Sequence, residues 1–301
     1  KDTHELSEYF LENITEMLSK KGVKTSGWQE VALHHSPEMN ARIAPRFAGV
    51  YCWSTIGKRD IVPYTVANEG YDVILCNVNN LYIDLAYNPH KDEPGLTWGG
   101  YVNEFTSFNI LPYNIYCSAR ENTAGEKNNL KTAGKGKIQL PEQSRPHIKG
   151  VQAQLFSETI GSFDMVQYYV FPKIFGLVER GWNAYPEWSP VPNDDKQALY
   201  EKARAIYNAK IAEIELPRLA ADGFNFRVAQ PGIKIVEGKL YANSPIPQAE
   251  IRYTTDGSEP AATSTLWEAP VDCSATVVKA KLFYLGKESH TTDYKNDKKQ
   301  K

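Results

Sequence analysis

The sequence predicts an α/β fold built on a parallel sheet, followed by a small antiparallel β-sandwich. Three observations carry this prediction. Strand-like apolar runs alternate with helical stretches through residues 1–222, the order that produces parallel sheets. Four of the runs end in an aromatic residue: Val23 to Trp28, Val50 to Trp53, Val73 to Tyr82, and Gly150 to Phe156. From Gly223 the pattern changes to short alternating segments separated by turn residues.

Taken in order, Leu6, Phe10, Ile14, Met17 and Leu18 recur at helical spacing until Gly22 stops the run. A strand to Trp28 follows, and residues 30–47 read as loop and helix. Ala48–Trp53 is the second strand and Tyr64–Glu69 a short helix. Tyr71–Asn77 is a continuous Val/Ile/Leu strand, the composition of one buried on both faces. Asn88–Gly100 is a Pro/Gly loop bearing Trp98, Tyr101–Phe108 is helical, and Glu121–Pro146 is a polar surface insertion. Lys149–Phe156 is the fourth strand, and two helices follow, Asp164–Arg180 and a long amphipathic Asp195–Ala221. Residues 228–293 supply the sandwich, with the turn Asp256-Gly257 between two of its segments. Residues 294–301 are a charged tail expected to be disordered.

Composition excludes several classes. A formal net charge of -2 gives no electrostatic case for nucleic acid or an anionic membrane. No apolar run approaches the length of a membrane span. Cys52, Cys76, Cys117 and Cys273 form no CxxC pair and fit neither a zinc site nor a dense disulfide framework. His34 and His35 have no carboxylate or Cys in ligand spacing and read as loop residues, so no metal and no cofactor is expected.

The strand ends carry the chemistry. Three of the four aromatic ends also deliver an acid: Glu30, Asp84 and Glu158. Flat rings stack on the C–H faces of sugars, and carboxylates accept hydrogen bonds from hydroxyls, so the pattern describes a carbohydrate pocket. Four strands are half of what a (β/α)8 barrel needs, and a complete one takes about 250 residues. Residues 1–222 therefore read as the C-terminal half of a TIM barrel, strands five to eight, whose sites lie at strand C-terminal ends. A smaller complete sheet is the competing reading.

At these residues the chain resembles the family 20 β-N-acetylhexosaminidases. The resemblance rests on Gly27-Trp28-x-Glu30, Trp53, Tyr82-Ile83-Asp84 and Gly95-Leu96-Thr97-Trp98. It continues through Pro112-Tyr113-Asn114, Gly150-Val151-Gln152-Ala153-Gln154-x-x-Ser157-Glu158, the Leu216-Pro217-Arg218-Leu219 junction and Tyr253-Thr254-Thr255-Asp256-Gly257. It implies an exo-acting glycosidase in which the substrate's own acetamido oxygen attacks the anomeric carbon, an exception to the two-carboxylate scheme. The partner implied is an amino-sugar glycan, and the location periplasmic or secreted, although no signal peptide is visible. The resemblance places the catalytic Asp-Glu pair in an H-x-G-G-D-E segment that this sequence does not contain. The acid is therefore expected upstream, with the N-terminal half of the barrel, and the chain alone is expected to be inactive.

By the same resemblance Tyr82 is the catalytic hydroxyl that bonds the acetamido carbonyl. Trp28 and Trp53 wall the acetamido pocket, Asp84 and Glu158 hold sugar hydroxyls, and Trp98 binds from its loop. Phe156 stands where the family usually has Trp beneath the sugar. It keeps a stacking face but loses area and the indole N–H. Packing is the competing reading for Trp28, Trp53 and Tyr82, and turn capping for Asp84. Glu30 reads as a structural bond within the barrel, and Trp182 and Trp188 as packing. The competing function is a carbohydrate-binding protein with a degenerate barrel.

Overall fold

The computed structural model describes residues 3–122 and 125–295. The chain divides into two compact units. The first takes Lys1–Asn88, Pro94–Thr159 and Lys173–Tyr200; the second takes Pro89–Glu93, Ile160–Pro172 and Glu201–Lys301.

The helices in chain order are α1 (Thr3–Lys20), α2 (Pro37–Ile43), α3 (Val62–Asn68), α4 (Val78–Leu81), α5 (Glu104–Phe108), α6 (Phe163–Val170), α7 (Ile174–Trp182), α8 (Gln197–Lys210) and α9 (Leu216–Ala221). In the first unit β1 (Thr25–Trp28), β2 (Phe47–Cys52), β3 (Val73–Leu75) and β4 (Ile148–Val151) form one parallel sheet in the order β1-β2-β3-β4. Consecutive parallel neighbours joined by helices are the arrangement the alternating sequence predicts.

The two faces of this sheet differ. Phe47, Val50, Cys52, Val73, Leu75 and Ile148 are buried with Ile43 of α2 and Val66 of α3 in one core. The alternate positions Trp28, Tyr51, Ile74 and Gly150 lie in register across the four strands, and none of them is buried. Side chains two apart share a face, so this layer belongs to the other side. The expectation that the third strand is buried on both faces therefore fails at Ile74. Gly49 makes room there, because a Cβ at that position would lie 2.3 Å from Ile74 Cδ1.

α1 buries Thr15 and packs Leu11 on the core, leaving Leu6, Phe10 and Met17 exposed. The helix predicted over Asp164–Arg180 is two helices, α6 and α7, broken where Pro172 supplies no N–H. Near the predicted end of the long helix, Ile211–Glu215 widens to a π turn in which Leu216 N–H bonds the Ile211 carbonyl. Pro217, with no N–H to continue the α pattern, follows immediately. Trp188 packs as expected, 5.2 Å from the Phe108 ring and 5.3 Å from Tyr200. Trp182 does not pack; it ends α7 and is 90% exposed.

The second unit holds two antiparallel sheets. One is β5 (Gly232–Val236), β6 (Lys239–Asn243) and β9 (Val271–Asp272). The other is β7 (Glu250–Thr254), β8 (Thr265–Leu266), β10 (Val277–Tyr284), β11 (Lys287–Glu288) and β12 (Thr292–Lys295). Leu240, Cys273 and Val278 are buried between them with Tyr253 and Trp267 packed alongside, the core of a sandwich. The tail expected from 294 thus begins inside a strand, since Tyr294 pairs with Val278. Residues 296–301 lie outside the described residues. Arg227 and Glu93 make a buried ion pair in this unit at 3.3 Å, and the Tyr168 hydroxyl donates to the same carboxylate at 2.8 Å.

Candidate functional site

Beyond β3 the chain enters α4 and then runs beside the continuation of β4. Gln154 N–H donates to the Leu81 carbonyl at 2.8 Å, and Ile83 N–H donates to the Gln154 carbonyl at 2.9 Å. This pairing sets Tyr82 next to Phe156, with ring centroids 5.5 Å apart. Trp98 stands edge-on to Tyr82 at 5.8 Å and to Trp53 at 6.1 Å, while Trp53 lies 6.5 Å from Tyr82. Four of the predicted aromatics therefore form one cluster, with Trp98 and Phe156 exposed at its surface.

Trp28 does not touch that cluster through its ring. It packs edge-on against Tyr51 at 5.9 Å, on the open face of the sheet. Its neighbours hold Trp53: Glu30 Oε1 accepts from the Trp53 indole N–H at 3.2 Å. Buried Gln29 accepts from the backbone N–H groups of Trp53 and Ser54, each at 3.0 Å. The structural bond expected for Glu30 is thus the orientation of Trp53.

The Trp98 loop returns against the Tyr82–Asp84 turn. Leu96 bridges to Leu85, and Ala86 N–H donates to the Leu96 carbonyl at 2.9 Å. Gly95 makes this approach possible. Its φ is +117°, and a Cβ there would lie 2.6 Å from Ala86 N and 2.9 Å from the Asp84 carbonyl oxygen.

Asp84 is 4% exposed, and its Oδ1 has no hydrogen-bond partner. Burial raises its pKa above the ordinary carboxyl value, and the nearby Glu158 charge adds to the rise. Backbone N–H groups of Asp84 itself and of Phe156, with the Lys173 charge, act in the opposite direction. Burial likewise pushes the Tyr82 phenol up, with Cys76, Asp84 and Glu30 reinforcing it. Cys76 itself is pushed up to about 12 by burial and stays a thiol. All four cysteines are free and buried.

Lys173, at the head of α7, is fully buried. Its ammonium donates to the carbonyls of Ile83 at 2.8 Å and Leu85 at 2.6 Å, and sits 3.7 Å from the Tyr87 ring centroid. Sequence reasoning missed Lys173 and Gln29, and it read Gln154 only as part of a motif, without a role. Gln29 had a visible signal too, a polar residue within a strand end. An aromatic basket with a buried, unpartnered carboxylate oxygen beside it can stack a sugar ring and accept from its hydroxyls.

Residues 1–185 match the glycosyl hydrolase family 20 catalytic domain, and residues 215–290 match the chitobiase/beta-hexosaminidase C-terminal domain. The N,N'-diacetylchitobiase of Vibrio harveyi is 28% identical over 273 residues, covering 85% of this chain and 29% of that protein. A beta-hexosaminidase of Porphyromonas gingivalis is 25% identical, covering 92% of this chain and 30% of the relative. Among solved structures, the family 20 exo-β-N-acetylglucosaminidase of Vibrio harveyi in complex with N-acetylglucosamine superposes with a TM-score of 0.50 at 21% identity. That superposition covers 75% of this chain and 28% of the other. The chain thus spans less than a third of the length of these relatives.

Proposed function

This chain belongs to glycosyl hydrolase family 20, and on that premise we propose that its protein is an exo-β-N-acetylhexosaminidase. It would remove terminal N-acetylglucosamine or N-acetylgalactosamine from glycans by substrate-assisted, retaining catalysis. The observation that carries the proposal is the Asp84 Oδ1, buried without a partner beside the rings of Tyr82, Trp98 and Phe156. A buried acceptor left open is costly unless a ligand donates to it.

In this reading the sugar lies on Phe156, walled by Trp53 and Trp98. Asp84 and the exposed Glu158 accept from its hydroxyls. The Tyr82 hydroxyl, kept protonated by burial, donates to the acetamido carbonyl as that group attacks the anomeric carbon. Trp28 lines the approach from the open sheet face. The acid that protonates the leaving oxygen would come from residues upstream, which would also close the sheet into a barrel. Because these 301 residues contain no H-x-G-G-D-E segment, a non-catalytic glycan binder is the second reading.

The test is hydrolysis of an aryl N-acetyl-β-glucosaminide by the full-length protein. Tyr82→Phe should lower kcat by the equivalent of about 2–4 kcal/mol of transition-state stabilisation, as removal of comparable single donors does. Asp84→Asn should chiefly raise KM. Unchanged turnover in Tyr82→Phe would remove Tyr82 from the reaction. A full-length protein that binds the sugar without cleaving it would favour the binder.

A further inference from the structure

The two histidines read from sequence as plain loop residues do not behave alike. His34 turns the backbone through the left-handed region, at φ 69°. His35, which follows it ahead of α2, points back to the first turns of α1. Its Nδ1 lies 2.9 Å from Glu8 Oε1, and His4 Nε2 lies 3.4 Å from the same oxygen. His4 and Glu8 are four apart on α1 and so share a face. The two imidazole rings stack with centroids 6.1 Å apart and planes at 16°. All three donor atoms lie within 4.8 Å of one another.

The protonation chemistry of this cluster is constrained. The other nitrogen of His35, Nε2, lies 3.1 Å from the Val31 carbonyl oxygen. A carbonyl only accepts, so Nε2 carries the proton and neutral His35 presents the Nδ1 lone pair to Glu8. An ionised carboxylate also only accepts. Two lone pairs facing each other call for a cation. Protonated imidazoles can supply it, each donating an N–H to the Glu8 oxygen, which accepts more than one such bond. A metal ion can take all three donors.

We propose that His4, Glu8 and His35 form a divalent metal site, with zinc the ion its donors fit best. Two imidazoles and a carboxylate suit zinc, and three protein ligands leave a fourth position for water. The half-exposed His4 provides the open side, while His35, with 5% of its side chain exposed, forms the fixed side. The Val31 carbonyl supplies the outer bond that typically fixes the tautomer of a ligating histidine. Bonds of about 2.0–2.2 Å in a tetrahedron separate ligand atoms by roughly 3.3–3.6 Å. The exposed His4 side chain would move to close the remaining gap. The ion would staple the first turns of α1 to the loop before α2. Further along, α1 is tied by the polar contacts of Glu12 with Arg42 at 2.8 Å and Arg46 at 3.1 Å.

The test is titration of the full chain, stripped of metal and free of any polyhistidine tag, with Zn²⁺ against a chromophoric zinc indicator. A single equivalent should bind, and X-ray absorption at the zinc edge should show nitrogen and oxygen neighbours with imidazole scattering. His4→Ala alters an exposed side chain and should weaken zinc binding by about a hundredfold or more, as should His35→Gln, since each removes a ligand and not merely an outer partner of one. No competition with the indicator would overturn the site, leaving His35 and Glu8 as an ordinary ion pair. Sulfur ligation, or wild-type affinity in both variants, would also overturn it.

Discussion

Lys173 grips the chain on both sides of Asp84: its ammonium donates to the Ile83 and Leu85 carbonyls while its charge stabilises the carboxylate between them. One buried cation thus fixes the turn that presents Asp84 and balances part of that residue's charge. The contact also ties the head of α7 to the strand end bearing Tyr82.

Replacing Lys173 with Met should leave both carbonyls without their buried donor. At about 1–3 kcal/mol for each unsatisfied group, the loss should reach roughly 2–6 kcal/mol. Denaturant unfolding of the variant would measure it. A loss below about 0.5 kcal/mol, the range of an ordinary surface substitution, would show that the turn holds without Lys173.

Asp84 predicts a conflict between stability and binding. Its folded pKa is raised above the ordinary value of 3.8. The native state therefore holds this proton more tightly than the unfolded chain. Any stability from that proton is complete below pH 3.8 and is lost as pH rises through the folded value. Asp84→Asn, which keeps an acceptor oxygen but no charge, should melt at or above wild type at neutral pH. Its advantage should shrink as pH falls towards 3.8, while its affinity for the amino sugar drops. Thermal melts across that range check the sign. A less stable variant at neutral pH would contradict it.

Gly95→Ala should loosen the site without unfolding the unit. The added Cβ meets the backbone of Ala86 and Asp84, and φ +117° suits few residues other than glycine. The strain, of order 1–3 kcal/mol, should be relieved by moving the loop that carries Trp98. Weaker binding of N-acetylglucosamine and faster proteolysis at 94–98, with unchanged far-ultraviolet circular dichroism, is the expected result.

The open layer of Trp28, Tyr51 and Ile74 predicts the behaviour of the isolated chain. Among the described residues, β1 and β4 each have one unpaired edge, and α1 exposes Leu6, Phe10 and Met17. Exposed apolar surface and free strand edges favour association. The 301-residue chain should self-associate at micromolar concentration in light scattering, and the protein extended upstream should not. A monodisperse monomer with a cooperative melt would argue against upstream closure.

The sequence located the aromatics beyond strands, because an apolar run ending in an aromatic is a local signal. Trp53, Tyr82 and Phe156 were found this way. It did not locate the strand ends themselves: β3 stops at Leu75, with α4 between it and Tyr82, and β4 stops at Val151, short of the strand expected to reach Phe156. Their ring contacts depend on strand register, which the sequence leaves open. Lys173 was invisible for a different reason. A lysine just after a proline reads as surface, and its burial comes from carbonyls 88 and 90 residues away. The break between α6 and α7 was readable, since Pro172 marks it. His35 looked isolated because ligand spacing was sought nearby, while Glu8 lies 27 residues back.

The Arg227–Glu93 pair governs where the molecule can be cut. The change of composition near Gly223 looks like a seam, and a module excised there would still contain Arg227. Its carboxylate partner would stay behind, more than a hundred residues earlier in the chain. Stranding one member of a buried ion pair typically costs about 3–5 kcal/mol, a large share of a small domain's stability. A transferable version of the second unit must therefore carry Pro89–Glu93 with it. Gene fusion or recombination at the apparent seam would yield a domain that is whole in sequence but lacks part of its own packing.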